Sequence, residues 1–142
     1  MSITSSNAVV LLSIAGVFPI PQRLQGFAKD QMFKTGPIKP VETVMGADGN
    51  FVAGKVFVPF DQEYTLLASS PSCQLFDEWY TAMTTLGDVL SANGLITLSG
   101  VGTKWTLTTG YLTDYVPIPE AKNILEARTF KITWGQCSPA VI

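Results

Sequence analysis

Histidine is absent from the 142-residue chain. That removes the commonest general base, the commonest metal ligand and every Ser-His or Cys-His nucleophile pairing, and most hydrolase chemistry goes with them. Charge is also sparse. Only 14% of residues are charged, against about 25% in an average globular chain. Nine Lys plus Arg against eleven Asp plus Glu leave a net charge of -2. No basic field exists to neutralise phosphates, which argues against tight nucleic-acid binding. Cys73 and Cys137 are the only thiols, enough for one bridge at most and too few for a structural zinc site. No apolar run reaches the ~20 residues that cross a bilayer as a helix. The early stretch Ala8 to Ile20 has no basic residue before it, the first being Arg23, and no small-residue cleavage site follows. It reads as a buried strand of a chain used without secretion or membrane insertion.

What is present is a core: 46% of residues are hydrophobic and 11% aromatic, enough for one domain spanning residues 1–142. Asn7 to Ile14 is β-branched and apolar, the pattern of a strand covered on both faces, and Gln22 to Phe27 and Met32 to Thr35 read as extended. Thr43, Val44, Met45, Gly46, Ala47, Asp48, Gly49, Asn50, Phe51 and Val52 form a hairpin signal, with Asp48-Gly49 expected in a tight primed turn. Lys55 to Leu66 sorts by parity. Val56, Val58, Phe60, Tyr64 and Leu66 point one way, interrupted by Gln62, and Lys55, Pro59, Asp61, Glu63 and Thr65 face the other. Pro59 predicts a bulge or an edge there.

The period then changes. Leu75, Phe76, Trp79, Tyr80, Met83 and Leu86 recur at three and four residues and predict a helix over about residues 71–86, with Ser70 as N-cap, Pro71 at the first position and Gly87 as the stop. After Asn93-Gly94 the signal is again β. Trp105, Leu107 and Tyr111 share one face, and Phe130, Ile132 and Trp134 alternate with Thr129, Lys131 and Thr133. The fold class is mainly β, an antiparallel β-sandwich or barrel with one flanking helix. Leu75, Phe76, Trp79, Tyr80, Met83, Trp105, Leu107, Phe130, Ile132 and Trp134 are the expected helix-on-sheet core.

Candidate sites reduce to bland explanations. Asp77-Glu78 are adjacent on a helix and diverge, so they read as macrodipole partners. Asp61 and Glu63 share a strand face without a third ligand, which favours a solvated stripe over a catalytic pair. Cys73 lacks a histidine to activate it. No catalytic, cofactor or metal residue emerges, and the chain does not read as an enzyme. The alternative is a small monomeric barrel holding an apolar ligand among Trp79, Trp105, Phe57 and Tyr111. Polar strand faces built from Thr, Ser and Gly, with few lysines to guard the edges, point instead to edges meant for pairing in a larger assembly.

Val44-Met45-Gly46-Ala47-Asp48-Gly49 with Val52-Ala53-Gly54, and Glu126 to Gly135 (EARTFKITWG), resemble the tail tube proteins of contractile-tailed bacteriophages, as does the element order along nearly the whole chain. The resemblance implies a structural virion protein without cofactor or catalysis, assembled in the host cytoplasm into hexameric rings that stack as the inner tail tube. A baseplate or tube-initiator subunit of the same fold is a related possibility. It also implies a tail sheath protein, a tape measure protein, and baseplate and tail terminator proteins as partners, with DNA only in transit through the lumen. Under that resemblance the Thr43–Val52 hairpin is expected between rings, and Lys55, Asp61, Glu63 and Thr65 are expected to face the lumen, where a mildly acidic wall would not hold phosphates.

Overall fold

The computed structural model describes residues 8–28 and 32–142; Asn7, the first residue of the expected early strand, lies outside them. In β1 (Ala8–Ile14) Ala8, Val10, Leu12 and Ile14 are buried, while Val9, Leu11 and Ser13 on the other face are half-buried rather than covered. The remaining elements follow as β2 (Phe18–Arg23), β3 (Phe33–Thr35), β4 (Val41–Met45), β5 (Phe51–Lys55), β6 (Phe60–Leu66), α1 (Cys73–Leu86), β7 (Ala92–Leu98), β8 (Thr103–Asp114) and β9 (Arg128–Val141). A seven-stranded antiparallel sheet runs in the order β2-β1-β7-β8-β9-β6-β3, and β4 and β5 form a separate two-stranded sheet. The large sheet does not close into a barrel. Among the described residues its edge strands are β2 and β3, and the inward faces of β1, β6, β7, β8 and β9 meet α1 on one core, so the architecture is a β-sandwich with a flanking helix.

The helix supplies the centre of that core. Phe76 stacks on Phe130 with ring centroids 4.3 Å apart, and Trp79 is fully buried with Nε1 donating to the Leu90 carbonyl at 2.9 Å. Each such side chain contributes about 1.5–3 kcal/mol by leaving water. Leu75, Leu107, Ile132 and Trp134 are buried with them, and Met83 and Trp105 pack partly buried at the rim. Tyr80 departs from the expected core. It is 46% exposed and stacks on Tyr115 at 4.5 Å, because it lies at the margin of the apolar stripe, where the loop after β8 rather than the sheet covers it.

The helix ends differ in how well they match their signals. Gly87 adopts the left-handed conformation (φ 70°) and donates to the Met83 carbonyl, the stop its position predicts. At the start, the regular α-helical run follows Ser72, whose hydroxyl makes no cap, while Ser70 Oγ accepts from the Ser72 amide at 3.2 Å, the bond expected of a cap at Ser70. Ser72 Oγ accepts from the Gln25 amide at 2.7 Å and Ser70 Oγ donates to the Gln25 carbonyl, so both serines tie the helix to the chain after β2.

Two further departures have clear causes. Residues 56–59 leave the sheet, where a continuous strand from Lys55 was expected. Val56 donates to the Pro40 carbonyl, Pro59 has no donor to give, and Phe57 is left 82% exposed. In β8 the pairing with β7 slips between Ala92 and Gly94, and Thr109 takes a positive φ of 54°. The bulge reverses the inward parity. Leu107 and Gly110 are buried, and Tyr111, expected beside Trp105 and Leu107, turns outward.

Gly110 has no side chain for a reason. A Cβ there would lie 2.5 Å from Trp134 Cε3 and 2.9 Å from Ile132 Cγ2. Gly110→Ala is expected to force the Trp134 indole out of place and destabilise the subunit by about 1–3 kcal/mol. Urea denaturation checks this, and an unchanged midpoint would contradict the packing described.

Candidate functional site

Two surfaces remain once the core is assigned. The first is the β4–β5 hairpin. Met45 pairs with Phe51, Thr43 with Ala53 and Val41 with Lys55 on one face, and Val44 pairs with Val52 and Glu42 with Gly54 on the other. Both faces are bare: Val44, Met45, Phe51 and Val52 are between 59% and 64% exposed. A two-stranded sheet alone is marginal in water, and large apolar side chains are exposed on both of its faces, the kind of patch by which interaction surfaces are generally recognised.

The turn differs in type from the expected primed one. Gly49 donates to the Gly46 carbonyl at 3.0 Å and Gly46 donates to the Asn50 carbonyl at 2.7 Å. Only Gly49 among the turn residues has a positive φ, 85°. This is a three-residue connection in which Ala47 and Asp48 form a tight turn and Gly49 makes the bulge. Asp48 Oδ1 accepts from the Asn50 amide at 3.1 Å and holds the tip in shape.

The second surface is the outward face of β6 and β9. Asp61 is exposed there, and Glu63 and Thr65 are half-buried beside it. Lys55 is not with them, because the break at residues 56–59 leaves it on β5, its Nζ 5.3 Å above the Phe57 ring. One cation among the carboxylates is Lys131, opposite Glu63 in the β6–β9 register, 4.0 Å from Asp61 and 3.4 Å from Asp114. Thr133 donates to Asp61 at 2.7 Å and lies 3.1 Å from the Thr113 hydroxyl. The result is a hydroxyl-rich strip in which three carboxylates face two lysines, Lys131 and, opposite Glu63 on β3, Lys34. Among the described residues no group of three or more Cys, Asp or Glu converges as a metal would require.

The expected ligand constellation does not assemble. Trp79 is sealed in the core, and Phe57 and Tyr111 point to solvent. Only Trp105 borders a cavity, one of about 410 Å³ between β3, β6, β7, β8 and β9. At its base lies buried Gln62, which sequence parity placed as an interruption. Its amide donates to Thr35 Oγ1 at 2.8 Å, and its carbonyl accepts from Trp134 Nε1 at 3.1 Å and from the Tyr64 hydroxyl. Burial pushes the Tyr64 pKa up, so that hydroxyl stays a donor.

The buried charged group among the described residues is Arg128, 5% exposed. Its guanidinium donates to Asp77 at 2.8 Å and to the carbonyls of Val116 and Pro117, and it lies 4.9 Å from the Phe130 ring. Burial raises the Asp77 pKa, but the hydrogen bonds from Arg128 and Tyr115 and the Arg128 charge outweigh it and hold the carboxyl below its usual value. Asp77 therefore anchors the helix to β9 and lies beyond the first turn, where no acidic residue is found. Both thiols are free, Cys73 buried and Cys137 half-buried, and burial raises the pKa of each.

Residues 1–138 match the sequence family described as tail fiber protein gp32. No curated protein sequence matches the chain. Among solved structures, similar folds occur in the baseplate of the anti-feeding prophage, 6-fold symmetrised (16% identity, TM-score 0.60, covering 99% of this chain and 97% of that one). Another is the tube-terminating cap of the same particle (9% identity, TM-score 0.62, covering 100% and 93%). A third is the sheath-tube complex of the PVC extracellular contractile injection system in its extended state (13% identity, TM-score 0.57, covering 94% and 88%).

Proposed function

Because the chain belongs to the tail fiber protein gp32 family and has the fold found in tube, baseplate and cap assemblies of contractile injection systems, we propose that it is a structural tail subunit, not an enzyme, that self-assembles into stacked hexameric rings forming the inner tube of a phage-like contractile particle. The observation that carries this reading is the β4–β5 hairpin, apolar on both faces and left exposed by the described residues of its own subunit. Residues Thr43 to Val52 are the contact with a neighbouring subunit or ring. The family's description speaks of a tail fiber. The sandwich with one amphipathic helix supports the tube-type role within such a tail.

Asp61, Glu63 and Thr65 on the outward strip are the lumen-facing residues in this proposal, with Lys131 taking the place expected of Lys55. Threonine hydroxyls and a slight excess of carboxylate give passing DNA no row of cations to bind. The sheath, tape measure, baseplate and terminator proteins are the partners, and the particle is assembled in the host bacterial cytoplasm. The monomeric ligand-barrel reading is weaker, since three of its four aromatics do not reach the cavity.

Sedimentation velocity across a concentration series tests the proposal. The expected result is growth from a monomer of 15.3 kDa to a discrete six-subunit species and larger stacks. A single monomer boundary at every concentration would overturn it.

A further inference from the structure

Resting on the self-assembly reading, we propose that the receptor for the hairpin is the apolar cavity beside β3 of a second copy of this chain, with Met45 and Phe51 entering it. The occupant must be apolar. The walls include Phe33, Phe60, Ile96, Leu98, Trp105 and Cys137, and Gln62 at the base already has its donor and acceptor engaged within the subunit. An apolar void of roughly 150 Å³ holds a benzene-sized group, so about 410 Å³ has room for the Phe51 ring together with the Met45 thioether. The subunit's own hairpin does not fill it, because those side chains are exposed.

The sheet edges leave few alternatives. β2 carries Pro19 and Pro21, which offer no N–H to a further strand, and its register against β1 slips beside them. β3, on the cavity side, has no proline within it until Gly36-Pro37 follows. Nearly all of residues 41–55 are exposed, and burying both faces of that hairpin would supply on the order of the 800 Å² per partner that a stable interface uses.

The test uses Met45→Cys in the full-length chain, assembled at high concentration, with a short bismaleimide as cross-linker and Met45→Cys/Cys137→Ser as control. Intersubunit cross-links at least tenfold more abundant than in the control are expected, together with at least tenfold slower alkylation of Cys137 in assembled wild-type protein. Rings or tubes that form without a Cys137-dependent cross-link would overturn the receptor assignment and leave the assembly reading standing. A wild-type chain that stays monomeric while an apolar fluorescent probe fills the cavity would overturn both, and would make the cavity a small-ligand site.

Discussion

Phe51→Asp is expected to abolish assembly and leave the subunit folded. The side chain is 64% exposed in the isolated subunit, so the replacement should change folding stability by less than about 1 kcal/mol. In an assembly the same position is buried, and a carboxylate placed without a partner in an apolar contact costs at least about 3 kcal/mol, more than a hundredfold in dissociation constant. Thermal melting and sedimentation of the variant separate the two effects. A variant that still assembles at the wild-type concentration would remove the hairpin from the interface. A variant that melts far below wild type would show that the hairpin supports the fold itself.

The largest effect on stability is expected at Arg128. Arg128→Ala leaves the Val116 and Pro117 carbonyls without their donor, removes the partner of Asp77 and uncovers the Phe130 and Tyr115 rings. Loss of about 2–4 kcal/mol follows, which at this size lowers Tm by on the order of 10 °C. Asp77→Asn keeps a hydrogen-bonding group and should lose less, about 1 kcal/mol. The pH dependence has a definite sign. Folding lowers the Asp77 pKa below the ordinary aspartate value, so the unfolded chain takes up the proton first on acidification. The contribution of Asp77 is complete above that value and is lost as pH falls below it through the lower folded value. Urea midpoints between pH 6 and pH 2.5 should fall less steeply for Asp77→Asn than for wild type. Parallel curves would contradict the anchoring role.

Periodicity carries further in some parts of this chain than in others. The helix is legible because Leu75, Phe76, Trp79 and Met83 repeat at helical spacing over a stretch bounded by Pro71 and Gly87, and the hairpin because Asp48-Gly49 separates two extended runs. Its turn type was not legible, since the bulged and primed forms use the same dipeptide and differ only in which residues take positive φ. Tyr111 was placed inward by strict alternation, which cannot anticipate the slip at Thr109. Gln62 looked like an exception to a packed face because a polar side chain is expected outside. Its partner Tyr64 lies two residues along the same strand, and Thr35 and Trp134 are brought to Gln62 by two other strands, β3 and β9. Arg128 was invisible for the same reason, its carboxylate partner lying 51 residues away in sequence. Pro19 and Pro21 gain a role only once β2 is seen to be an edge strand. The surface residues divide likewise. Asp61, Glu63 and Thr65 share a face as strand parity requires, and Lys55 leaves them because the strand breaks at residues 56–59.

The account rests on self-assembly through the hairpin, and electron microscopy of the purified full-length chain at high concentration tests it most directly. Hollow tubes or stacked rings with six-fold end views, absent from the Phe51→Asp variant prepared alongside, are the predicted result. Uniform single subunits for both proteins, or tubes formed equally well by both, would contradict it.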